Sequence, residues 1–244
     1  MITCKNCGNS FEGRFCNDCG QKADIHRFTL RHAMHDFFHS FTHIDKGILF
    51  LIKELFTRPG YAAKDYIEGR RKKYFNPFQY LFLAVAAATF LSVNYQLMGP
   101  KADINTVGSG INSFGLQYNA FIYKYFNVIQ LVSVPVIAFF SWLFFRKSGY
   151  NYAENLVFNT FLGAQRTLMY IMISPFLFIF NRYWYIPISI YYIAWLVYYG
   201  WAFVQFFNES RGRVILKYIV SILLFIPAAQ LISLAIFYLF FYHK

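Results

Sequence analysis

The chain has 244 residues, 57% hydrophobic, 23% aromatic and only 14% charged, with a net charge of +12. A soluble domain carries roughly a quarter charged residues, so this composition excludes an ordinary soluble domain. The basic excess needs no nucleic acid as partner, because Lys and Arg gather at the cytoplasmic ends of membrane spans. Of the 23 Lys and Arg, 13 fall in the first 77 residues. The chain therefore divides into a polar head and an apolar body, and its length and hydropathy predict an α-helical polytopic membrane protein.

Residues 1–22 form a cysteine module. The first twenty residues are polar and lack the apolar stretch of a secretory signal, which predicts a head kept in the cytosol with reduced thiols. The same polarity argues against lipoprotein-type modification of Cys4. Cys4-Lys5-Asn6-Cys7-Gly8 and Cys16-Asn17-Asp18-Cys19-Gly20 repeat one C-x2-C-G knuckle. A two-residue gap lets both thiolates of a pair reach one ion, and the glycine supplies a turn with positive φ. Cys4, Cys7, Cys16 and Cys19 thus read as the ligands of a structural Zn2+ in a zinc ribbon. Iron in the same cage, or a redox pair of disulfides, uses the same residues. Lys5, Arg14 and Lys22 are placed to offset the site's negative charge. Phe11 and Phe15 are the bulky candidates for a core, too few to hold the fold without metal.

Residues 25–77 read as a juxtamembrane collar of amphipathic helices. On a helix over 28–43, His32, His39 and His43 share one face, with His35 and Asp36 beside them. Leu30, Met34, Phe37, Phe38 and Phe41 take the other face. Together with Asp36 or Asp45, the histidines would form a second metal or proton-relay site. Alternatively the helix lies on the membrane with its imidazoles among the headgroups. Arg58-Pro59-Gly60 breaks the helical pattern. Arg70-Arg71-Lys72-Lys73 is placed to orient the chain and to meet anionic lipid phosphate. Asn76-Pro77 marks the start of the membrane body.

The body, residues 78–244, offers about five transmembrane helices of the length a bilayer requires. They fall at 78–98, 126–145, within 156–180, at 184–207 and at 214–242, with a polar loop from 99. Five spans from a cytosolic N-terminus put 18 basic residues inside and 4 outside, which satisfies the positive-inside rule. Arg166 is the intramembrane polar residue. Glu154, Asn155 and Asn159 favour an interfacial segment over 152–163, with the third span starting near Thr167 and Arg166 at headgroup level.

The Cys19-Gly20-Gln21-Lys22 end of the ribbon, His35-Asp36-Phe37-Phe38-His39, His43-Ile44-Asp45-Lys46-Gly47, Arg58-Pro59-Gly60 and Tyr66 through Pro77 resemble a family of uncharacterised bacterial membrane proteins. That family has a zinc-ribbon head and a multi-span body. The resemblance implies a bacterial inner-membrane setting and supplies no reaction. Three functions stay open from the sequence. The first is a non-enzymatic membrane protein whose ribbon docks a protein partner or its own body. The second is transport or lipid handling around Arg166 and the glutamines of the apolar segments. The third is a metal-dependent hydrolase built on His32, His35, His39 and His43. The sequence lacks an H-E-x-x-H motif, a phosphate loop and a nucleophile elbow, so it leans away from an enzyme.

Overall fold

The computed structural model describes residues 1–25, 27–30, 47–95, 113–183 and 185–242. The head contains β1 (Ile2–Thr3) and β2 (Ser10–Phe11), an antiparallel pair with Ile2 opposite Phe11. Among the described residues seven α-helices follow: α1 (Ile48–Thr57), α2 (Pro59–Ile67), α3 (Pro77–Tyr95), α4 (Ser113–Phe144), α5 (Tyr152–Ile179), α6 (Tyr185–Phe206) and α7 (Arg211–Phe240).

Local chemistry sets the helix ends. The Asn76 side-chain oxygen accepts from the Phe78 N–H at 2.9 Å, with Pro77 at the first helical position. An asparagine cap followed by proline uses two residues that suit a helix start. α5 begins with a capping box: Asn151 accepts from the Glu154 N–H at 2.9 Å, and Glu154 accepts from the Asn151 N–H at 2.8 Å. α1 ends at Arg58 and α2 starts at Pro59, so the Arg-Pro-Gly break falls where the sequence places it.

Among the described residues, four helices are long and apolar enough to cross a membrane, over Pro77–Asn94, Phe114–Phe144, Tyr185–Phe206 and Arg211–Phe240. They make the chain a multi-pass membrane protein. α5, of 28 residues, is not among these four. It packs against α1, α2, α3, α4 and α6, at the centre of the bundle. A helix enclosed by other helices need not be lipophilic on every side.

Two sequence expectations change here. Residues 152–163 do not lie along an interface. They are the first half of α5, with Val157, Phe158, Phe161 and Leu162 fully buried. The polar residues that favoured an interface are themselves buried and bonded: the Ser141 hydroxyl donates to Asn155 at 2.8 Å, and Asn159 donates to the Asn155 carbonyl at 2.9 Å. The loop expected before residue 126 is also shorter. α4 already runs from Ser113, with a break in helical geometry at Tyr125 (φ −106°, ψ 15°). Helix continues where Phe114, Tyr118 and Phe121 pack edge-on or tilted against Phe237 of α7.

Candidate metal centre and the collar beneath it

The two knuckles fold alike. The Gly8 N–H donates to the Cys4 carbonyl at 2.9 Å, and the Gly20 N–H to the Cys16 carbonyl at 2.9 Å. Gly8 and Gly20 sit at φ +79° and +70°, a region that a side chain strains and glycine does not. These turns bring the four Sγ atoms within 4.8 Å of one another. Cys4 and Cys19 are 3.5 Å apart and Cys7 and Cys16 3.6 Å apart, without a disulfide between them. A tetrahedral ion with metal–sulfur bonds of about 2.3 Å would hold its sulfurs roughly 3.8 Å apart, so the four thiols fit one metal ion.

Electrostatics agree with the geometry. Burial raises the Cys4 thiol, but the N–H groups of Cys7 and Asn6 outweigh it and hold Cys4 at about 7. The Cys19 and Asp18 N–H groups draw Cys16 down in the same way. The Asn9 N–H draws Cys7 down, yet desolvation and the neighbouring thiols outweigh it and push Cys7 up to about 12. Thiolates this close resist ionising together, and a bound cation is what would let them all do so. Phe11 is buried, as expected of a core residue. Phe15 is 55% exposed, so it does not share that role; the buried cluster is Cys4, Phe11 and Cys16, flanked by Cys19 and Ala23.

The segment after the ribbon lies against the collar. The buried Gln21 carbonyl oxygen accepts from the backbone N–H of Arg71 at 3.2 Å and of Lys72 at 3.3 Å. Its amide nitrogen faces the Cys4 sulfur at 4.0 Å. Arg27 forks onto Glu154, Nε to Oε1 at 2.7 Å and an Nη to Oε2 at 2.8 Å. That hydrogen bond raises the Arg27 pKa, and a two-point guanidinium–carboxylate pair fixes orientation as well as charge. Phe28 is buried, stacked on Tyr66 with centroids 5.7 Å apart, and Asn151 donates to the Phe28 carbonyl at 3.0 Å. Between ribbon and body lies a cleft of about 340 Å3 lined by Lys5, Arg27, Glu68, Ser148 and Tyr150 among others. Desolvation, with Glu68 and Glu154 nearby, pushes the Tyr150 hydroxyl up to about 12, so it stays protonated at neutral pH.

The basic run folds back rather than pointing outward as a unit. Arg70 donates to Asp65 at 2.9 Å and Lys73 to the other oxygen at 3.4 Å, where the Tyr74 hydroxyl donates at 2.9 Å. Arg58 Nε donates to Glu54 at 2.7 Å. Arg71 lies over the Phe28 ring, 3.8 Å from its centroid. Among the described residues, Lys72 alone of the four is exposed without an ion pair or ring contact. His32, His35, Asp36, His39, His43 and Asp45 lie outside the described residues.

Arg166 is 5% exposed, inside the bundle. Its guanidinium donates to the Ser133 hydroxyl at 3.2 Å and to the Gln130 carbonyl at 3.3 Å, and lies 5.7 Å from the Trp195 ring centroid. The transport reading requires a polar cavity reaching Arg166. The groove that adjoins it, about 310 Å3 between α4 and α7, meets it only through Ser133 and is otherwise apolar apart from Ser233 and Tyr125.

Sequence reasoning missed Gln21, Arg27, Glu54, Asp65 and Tyr74. Asn151-Tyr152-Ala153-Glu154 carried a legible signal, the N-x-x-E capping pattern. Gln21 carried none, because its acceptor bonds reach a backbone fifty residues away.

The family model described as "Protein of unknown function (DUF3667)" matches residues 45–89. The match spans α1, α2, the Asp65 network and the start of α3, and leaves the ribbon outside. It supports the resemblance to an uncharacterised family. No curated protein and no solved structure matches the chain.

Proposed function

We propose that this chain is a non-enzymatic multi-pass protein of the bacterial inner membrane, whose cytosolic N-terminal ribbon holds a structural Zn2+ and docks on its own membrane body. The observation that carries this reading is Gln21. One amide faces the Cys4 sulfur and accepts from two collar N–H groups, so the metal site and the collar share a side chain, and Arg27 carries the link on to Glu154 of the body. Zinc suits four thiolates in a closed tetrahedral set, and such a site leaves no position for a reacting water. α5 crosses as a fifth span, shielded by its neighbours, with the N-terminus inside and the C-terminus outside. The basic residues support that orientation. Lys72 faces anionic headgroups, where a lysine gains about 1 kcal/mol.

Purified full-length protein is expected to carry one zinc per chain by elemental analysis, and Cys16→Ala is expected to lose it along with protection of residues 1–22 from protease. Protein without stoichiometric zinc, or a Cys16→Ala head as resistant as the wild type, would sink the reading.

A further inference from the structure

The groove between α4 and α7 has the shape and chemistry of a seat for an amphiphile. Its volume is about 310 Å3, and its walls include Val128, Val132, Val136, Ala229 and Ile232. The two serines on the wall spend their hydroxyls on protein: Ser133 donates to the Gln130 carbonyl at 2.6 Å and Ser233 to the Gln230 carbonyl at 2.9 Å. A polar guest would find little to bond, and apolar cavities of this kind stay dry. A cavity of about 150 Å3 already admits benzene, so there is room here for a longer piece of hydrocarbon.

The position of the groove along α4 says which hydrocarbon. The run from Tyr125 to Phe145 carries no charge and is bracketed by Lys124 and Arg146. It rises roughly 30 Å, one hydrocarbon thickness, which sets Lys124 at headgroup level. From Tyr125 the groove follows α4 to Val136, roughly 16 Å of helix and the depth of a single leaflet. It is aromatic at the Lys124 end, where the Phe241 ring lies 5.3 Å from Tyr125 and 4.8 Å from Phe121 between centroids, and aliphatic deeper down. Lys124 is exposed, with its ammonium 5.4 Å from the Tyr125 ring centroid. Among the described residues it has no carboxylate partner. We propose that this groove is a phospholipid site: one acyl chain lies between α4 and α7, and the lipid phosphate meets Lys124. The chain enters from the side, past Val128 and Val132, which are 46% and 43% exposed. A second copy of the protein does not fit, because a channel this slim excludes a helix some 10 Å across. The site is independent of the ribbon and its metal.

Full-length protein purified in detergent should hold one phospholipid per chain, seen as a single adduct in its intact mass. Ala229→Phe and Val132→Phe each fill the groove and should lose the adduct; Val132 is partly exposed, so its variant serves where Ala229→Phe fails to fold. Leu223→Phe, at a 64% exposed position of α7 outside the groove, should keep it. Added back to delipidated protein, dioleoyl phosphatidylglycerol should raise the thermal midpoint at about five-fold lower concentration than diolein, which has the same chains and no phosphate. Lys124→Gln should erase that difference. A wild type without the adduct overturns the proposal, as do groove variants that keep it or a Lys124→Gln that still favours the phosphate. A wild-type dimer that Val132→Phe splits would put a second copy in the groove and overturn it too.

Discussion

Gln21 and Asp65 each gather several donors into one place, and their loss should be felt locally. Replacing Gln21 by alanine leaves two backbone N–H groups, those of Arg71 and Lys72, without their acceptor. An unmet buried donor costs about 1–3 kcal/mol. Gln21→Ala is therefore expected to speed hydrogen exchange at Arg71 and Lys72 by about ten-fold or more, with exchange in α3 through α7 unchanged. Equal exchange in variant and wild type would show that the amide does not hold the turn. Asp65 accepts from Arg70, Lys73 and the Tyr74 hydroxyl, and its side chain is 12% exposed. Removing one partner of a buried ion pair strands the others, though its partners here are partly solvated and the loss is smaller for it. Asp65→Asn should lower stability by about 1–3 kcal/mol, read as a drop in thermal midpoint. At this scale the cysteines were legible because the spacing of a knuckle is the chemistry itself. Asp65 was not, because nothing in Arg70-Arg71-Lys72-Lys73 says which charges fold back and which face lipid.

Helices α2 and α6 meet at a tight crossing. Gly60 of α2 lies so close to α6 that an added Cβ would overlap the Ala202 carbonyl oxygen and come within 2.7 Å of the Phe206 nitrogen. Its N–H donates to Gln205 at 3.0 Å, and nearby the Tyr198 hydroxyl donates to the Leu55 carbonyl at 3.0 Å. Backbone cannot yield as a flexible side chain would, so Gly60→Ala should cost about 1–3 kcal/mol through overpacking. Thermal melting of the purified variant checks this, and an unchanged midpoint would mean that α2 and α6 separate freely. The sequence showed Arg58-Pro59-Gly60 as a break but gave the glycine no packing role. Likewise the apolar runs of α3, α6 and α7 announced themselves, whereas α5 was read as a span only from about Thr167. Its polar residues bond within the bundle, and hydropathy alone cannot distinguish a polar face turned to water from one turned to Ser141 or Ser133.

Across the whole molecule, a head built on four clustered cysteines sits on a bundle built around α5. If α5 crosses, the termini lie on opposite sides. A thiol-reactive probe that cannot cross membranes should label Tyr242→Cys in intact cells and should reach Lys147→Cys only after permeabilisation; a Tyr242→Cys that, like Lys147→Cys, labels only after permeabilisation would remove the fifth span. The division into head, collar and body was readable from composition, because charge and hydropathy change abruptly along the chain. The seating of head on body was not, since it rests on contacts between residues 21–28 and partners far along the chain, such as Glu154 and Tyr66. The central claim is that the metal site holds this seating together. Hydrogen exchange of the full-length protein before and after metal removal by a chelator tests it most directly. The account predicts faster exchange both in residues 1–22 and at Arg71 and Lys72, with α3 to α7 unaffected. Faster exchange confined to the ribbon, with Arg71 and Lys72 as protected as before, would contradict it.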